Sequence, residues 1–186
     1  MMGSLLTQSM ARTTVRAEET PQGKQFLTLT LGGEIFAIPI ENIREIIEFS
    51  GLTEIPLMPD FLRGVINLRG SVVPVIDLAA RFGRSNTQIS RRTCIVILEV
   101  SQEDNVLALG VMVDAVNEVL SIEPSQIEPA PNFGAQIRAD FIDGMISLGE
   151  RFVIALDIQR VLAVDEMSSL IGLAGSSSTE NAVIAT

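Results

Sequence analysis

The sequence predicts a mainly β fold made of two similar small barrels in tandem. Three observations carry this: strand-like runs paired across turn residues, an internal repeat of one strand-rich unit, and helical spacing that is clearest in the last element. The first pair is 26–31, which alternates apolar with Thr, and 35–40, joined by Gly32-Gly33. The second is 65–68 and 72–78 around Arg69-Gly70. Pro74 inside that run predicts an edge strand or a bulge. The third is 92–100 and 106–113 around a polar loop at 101–105. Ile158, Val161, Leu162, Met167, Leu170 and Ile171 mark one face of a final helix, with Asp157 as its N-cap.

The repeat is read directly. Phe61-Leu62-Arg63-Gly64-Val65-Ile66-Asn67-Leu68 returns eighty residues later as Phe141-Ile142-Asp143-Gly144-Met145-Ile146-Ser147-Leu148, and the match continues ungapped to Asp77-Leu78 and Asp157-Ile158. Upstream, Ile40-Glu41-Asn42-Ile43-Arg44-Glu45 aligns with Val113-Asp114-Ala115-Val116-Asn117-Glu118 at an offset of 73, so the second copy carries seven extra residues around 132–139. Units of about 60–70 residues bury little surface alone, so the two are expected to pack on one another. Closing such short strands into barrels removes exposed edges.

Repetition also separates fold from function. Gly64 and Gly144 recur, which points to a backbone position that rejects a Cβ. Asp77 and Asp157 recur ahead of helical turns, as N-caps do. Arg69 does not recur, because the second copy reads Leu148-Gly149-Glu150 where the first reads Leu68-Arg69-Gly70. The fold does not demand Arg69. Glu45 recurs as Glu118, so an acid–arginine pair is available to the first copy only.

Composition prunes the chemistry. The 186 residues carry 13 basic and 23 acidic side chains, a net charge of −10, against the usual bias of phosphate-binding proteins. Tyr and Trp are absent, which removes the common base-stacking platforms, so no nucleic-acid partner is expected. No His is present, which removes His-based triads and zinc sites. Cys94, the single cysteine, reads as a small buried hydrophobe and fits a reducing compartment. No phosphate loop, calcium loop or metal cluster appears, and no cofactor is expected. Asp140 and Asp143 form the one conceivable acid pair, with no electrophile near them. No apolar run reaches the roughly 18–20 residues of a membrane span, and no export signal opens the chain, so a soluble, cytoplasmic protein is expected. A binding module is the reading that remains. A barrel that binds oligonucleotides or another small ligand, and a hydrolase using acids alone, are its competitors.

Gly64-Val65-Ile66-Asn67-Leu68-Arg69-Gly70 followed by Val72-Val73-Pro74-Val75-Ile76-Asp77-Leu78 resembles the bacterial chemotaxis coupling proteins of the CheW family. Phe36-Ala37-Ile38-Pro39-Ile40, Ile43-Arg44-Glu45-Ile46, Gly110-Val111-Met112-Val113-Asp114-Ala115-Val116 and Ile127-Glu128-Pro129-Ala130-Pro131 extend the resemblance over roughly 25–170. It implies two intertwined five-stranded SH3-like barrels with a short C-terminal helix. It also implies no catalysis, and a role as adaptor between methyl-accepting chemoreceptors and the histidine kinase CheA. The partners would be the receptor's cytoplasmic tip and the C-terminal regulatory domain of CheA, which associates end to end with the adaptor into rings. Recruitment from the cytoplasm to membrane-associated receptor arrays follows, without insertion into the membrane. A parallel chemosensory pathway, such as twitching motility or surface sensing, is the alternative setting. The resemblance assigns Ile43, Glu45, Gly64, Asn67, Arg69 and Gly70 to receptor or kinase binding. For Ile43, partner contact and core packing both stand open. The organisation expected is a tail at 1–24, a first barrel at 25–84, a linker at 85–91, a second barrel with the helix at 92–171, and a tail at 172–186.

Overall fold

The computed structural model describes residues 23–130 and 137–168. Most of the two expected tails, most of the seven-residue insertion, and Leu170 and Ile171 lie outside the described residues. Eleven described strands follow in order: β1 (Lys24–Leu31), β2 (Glu34–Pro39), β3 (Ile43–Glu48), β4 (Leu62–Leu68), β5 (Ser71–Asp77), β6 (Cys94–Gln102), β7 (Asn105–Val113), β8 (Ala115–Ile122), β9 (Ile127–Glu128), β10 (Ile142–Leu148) and β11 (Arg151–Leu156). Helical turns α1 (Leu78–Arg81) and α2 (Ile158–Val161) follow β5 and β11. The three expected hairpins are β1–β2, β4–β5 and β6–β7. The last is longer than expected: Ser101 pairs with Val106 and Gln102 with Asn105, leaving only Glu103 and Asp104 as the turn.

The strands form two sheets, ordered β8-β1-β2-β11-β10-β9 and β3-β6-β7-β5-β4. Written in repeat equivalents these are one arrangement, with β9 as the only addition. Each copy keeps its first hairpin in one sheet and sends its remaining strands to the other. Sheet membership therefore cuts across the expected 25–84 and 92–171 division, because β1–β2 sit with β8–β11. The repeat extends to detail. Both β4 and β10 shift register just before their glycine, and the Asp77 and Asp157 amides donate to the Phe61 and Phe141 carbonyls at 2.7 and 2.8 Å.

Neither sheet closes its ladder into a full barrel. The chain closes the seam instead. Beyond β3, Thr53 exchanges both backbone hydrogen bonds with Val65 of β4, each 2.9 Å. In the other sheet β9 does the same for β10, with Glu128 opposite Met145, the counterpart of Val65. Pro74 lies in neither an edge strand nor a bulge, since β5 is flanked by β4 and β7. Its missing N–H is tolerated because the parallel β5–β7 pairing begins only at Val75, and the Val65 groups opposite bond to Thr53.

Each sheet wraps a small apolar interior, Phe26, Ile122 and Ile146 in one, Val75, Ile95 and Met112 in the other. The larger cluster lies between them and includes Leu29, Phe36, Phe82, Phe141 and Val161 from both copies. Phe82 stands between Phe36 and Phe141, with ring centroids 5.5 and 5.9 Å away. The shared core is what two undersized units need. Cys94 is half-buried at its margin rather than fully enclosed. The expected short C-terminal helix is in two pieces: α2 ends at Val161, Leu162 and Ala163 break the helix, and a second helical stretch begins at 164. The break lets Leu162 and Met167 both reach the shared core.

Candidate functional site

Asp77 caps α1 as expected, its Oδ1 accepting from the Ala79 and Ala80 amides at 3.1 and 3.3 Å. It does more than cap. Fully buried, it also accepts from the Thr87 amide and hydroxyl at 2.8 and 2.9 Å and from Arg63 at 3.0 Å, fastening the segment between the copies to the end of β5 and, through Arg63, to β4. Asp157 caps α2 through the Arg160 amide at 3.2 Å, without such a network.

The β4–β5 hairpin ends in a two-residue turn with φ of 51° at Arg69 and 86° at Gly70. Two successive positive φ values are those of a type I′ turn, whose hand matches strand twist and whose preferred residues are Asn-Gly. Gly70 adopts this freely, whereas Arg69 carries a Cβ in left-handed space. The Asn67 Oδ1 accepts from the Gly70 amide at 2.8 Å and fixes the turn. So held, Arg69 reaches Glu45 with both guanidinium arms, Nη1 to Oε1 at 2.7 Å and Nη2 to Oε2 at 2.9 Å. Glu45 stands just past a bulge in β3, where the register against β6 shifts and Arg44 is the extra residue. As β3 and β4 are the two edges of this sheet, the pair bridges the same seam that Thr53 closes. The hydrogen bond from Arg69 holds the Glu45 carboxyl below the usual range, and Glu45 raises the Arg69 guanidinium in turn. The side chain of Glu45 is 20% exposed and that of Arg69 72%, so the cation is the part offered to solvent.

The other two expected site residues lie apart from the clip. Gly64 has φ of 151°, and a Cβ there would lie 2.1 Å from the Thr53 carbonyl oxygen, so its lack of a side chain is what lets the chain close the seam. Ile43, half-buried and paired with Leu98, packs on the shared core. The structure thus gathers Glu45, Asn67, Arg69 and Gly70 and sets Gly64 and Ile43 apart from them. Asp140 is gripped by Arg138 at 2.6 and 3.0 Å, which lowers its pKa and suits it poorly to donate a proton. Arg138 also binds Glu166, and Arg81 reaches Glu166 at 3.2 Å, tying the helical stretch from 164 to the body.

Beside the clip runs a groove of about 500 Å3, between the open sides of β5 and β7 ahead of their short parallel pairing. Arg44, Leu68, Arg69, Val72, Val106 and Leu109 line it. Val72 and Val106 are 71% and 64% exposed, large for apolar side chains. These residues are not singled out in the reading of the sequence above. The signal was present for Val72, since alternation places Val73 and Val75 inward and Val72 outward.

Residues 25–166 match the family model of the CheW-like domain, a span that contains the clip and the groove. The chain belongs to the CheW-like family. It is 37% identical over 154 residues to Chemotaxis protein CheW of Klebsiella aerogenes, covering 83% of this chain and 90% of that one. Chemotaxis protein CheW of Bacillus subtilis is 29% identical over 154 residues, 82% of this chain and 96% of that one. The crystal structure of the scaffolding protein TtCheW from Thermoanaerobacter tengcongensis is 31% identical and superposes with a TM-score of 0.70, covering 80% of this chain and 93% of that one. The family is one of chemotaxis scaffolds, which agrees with the resemblance drawn from the strings at 64–70 and 72–78. Among the described residues no helix is long and apolar enough to cross a membrane, and no cluster of three or more His, Cys, Asp or Glu could hold a metal ion.

Proposed function

We propose that this protein is a non-enzymatic adaptor that couples the cytoplasmic tips of methyl-accepting chemoreceptors to the histidine kinase CheA, acting from the cytoplasm at receptor arrays. The observation that carries this is membership of the CheW-like family over 25–166. The Glu45–Arg69 clip beside an apolar groove supports it, because it gives the family's Asn67–Gly70 string a physical task. A guanidinium held by one carboxylate, with most of its surface open, positions charge next to exposed Val72 and Val106, as a protein interface requires. Exposed apolar side chains also recur by the repeat. Val72 corresponds to Phe152 and Ile46 to Val119, and all four are exposed. Two similar apolar surfaces on one chain suit end-to-end association with a kinase domain of like fold. Reconstitution with cognate receptor and kinase is the test: adding this protein raises kinase autophosphorylation, and the protein alone turns over nothing. Equal kinase activity with and without it would sink the proposal.

A further inference from the structure

The connection from β3 to β4 holds a second feature that neither the clip nor the fold uses. Leu57 has φ of 63°, a left-handed conformation in which a branched side chain of this size is strained, and it is 68% exposed. It follows Pro56 at the centre of a turn, the order in which Gly or Asn is the usual second residue. Two unfavourable choices, strain and an apolar side chain in water, therefore fall on one residue. Burial elsewhere does not repay them.

The loop is nonetheless firmly held. Thr53 is bonded to Val65 on one side, the Leu62 amide donates to the Pro59 carbonyl at 2.9 Å on the other, and Ile55 and Met58 are half-buried. Pro56 and Pro59 stiffen what lies between. Glu54 and Asp60, both exposed, flank the knob and form no ion pair among the described residues. Strain that survives in a rigid, exposed segment is a mark of function, and a preorganised apolar anchor loses little freedom on binding. We infer that Leu57 is an anchor that inserts into an apolar pocket rimmed by Lys or Arg on a protein partner. The two exposed acids in this connection, Glu54 and Asp60, favour a basic rim, and the net charge of −10 disfavours a second copy of this chain as occupant. Leu57 lies in the connection before β4 and Arg69 in the turn after it, so the whole of β4, about 20 Å of strand, lies between the two along the chain. This rests on the adaptor reading, for which two partners need two separate places to dock.

The test compares wild type with Leu57→Gly, Leu57→Asn and the double reversal Glu54→Lys with Asp60→Lys. Each is titrated separately with the cognate kinase and with a cognate receptor cytoplasmic fragment. Leu57→Gly and Leu57→Asn should melt at or above the wild-type temperature and bind one of the two partners at least about tenfold more weakly. The charge reversal should weaken the same partner at low salt and less so at high salt. Wild-type affinity of both Leu57 variants for both partners overturns the inference alone. Unfolding of both variants overturns it as well, since Leu57 would then be holding the loop up. Self-association that Leu57→Gly abolishes, seen by sedimentation, would make a second copy the occupant and also overturn it. Wild type that binds neither partner removes the adaptor reading together with the inference.

Discussion

Arg69 sits where its backbone conformation opposes it and its ion pair favours it, and these two effects act against each other. Its exposed pair with Glu45 is of the kind that adds little to folding in water. Stability therefore does not account for the arginine. The pair can matter by fixing a charge between two binding surfaces, where coupling free energies run about 1–3 kcal/mol, or roughly 5- to 150-fold in affinity. Arg69→Glu is expected to fold normally while uncoupling kinase control from the receptor. The double swap of Glu45→Arg with Arg69→Glu should recover part of that control, as read in the reconstituted kinase assay. Full control in the single variant would leave Arg69 a solvated turn residue. Because Arg69 lowers the Glu45 pKa, the pair's contribution is complete above the range of an unfolded carboxylate. It fades as pH falls through the lowered folded value. Near neutrality the clip is fully charged.

At the scale of elements, the repeat was legible because β4–β5–α1 and β10–β11–α2 share their residue pattern at one constant offset. It also made the N-caps legible, and the crowding at Gly64 and Gly144. What remained hidden was the exchange of hairpins between sheets. Alternation tells which side of β3 is buried, but β1 and β6 are equivalents, and nothing in the pattern of β3 selects β6 over β1. The hub at Asp77 was hidden for a related reason: the repeat showed a cap shared with Asp157, while Thr87 lies in a segment with no counterpart to compare. The two caps should differ sharply. Asp157→Ala loses a cap, typically costing about 1 kcal/mol. Asp77→Ala also strands buried donors of Thr87 and the Arg63 charge, which argues for about 3 kcal/mol or more. Urea unfolding of the two variants measures the difference, and equal losses would mean that the Thr87 and Arg63 bonds contribute nothing beyond the cap.

Across the whole molecule, the exchange of hairpins gives the two halves one architecture but not one surface. Val72 and Phe152 hold equivalent places at the start of β5 and β11, and both are exposed. The first has the Glu45–Arg69 clip beside it, whereas the second has Gly149, which has no side chain to offer Glu118. Two similar but distinct ends make heterologous contacts, and such contacts propagate into rings when the rotation closes. An adaptor of this kind should hold two kinase regulatory domains, one at each end. Because both side chains already face water, Val72→Glu and Phe152→Glu should each fold with wild-type stability. Sedimentation with an excess of the isolated regulatory domain should then give two bound domains for wild type, one for either single variant and none for the double variant. If Val72→Glu and Phe152→Glu both keep two bound domains, the equivalent apolar positions are not the ends by which the chain assembles. If one variant alone loses both domains, the two sites are a single surface, and the proposed bivalence fails.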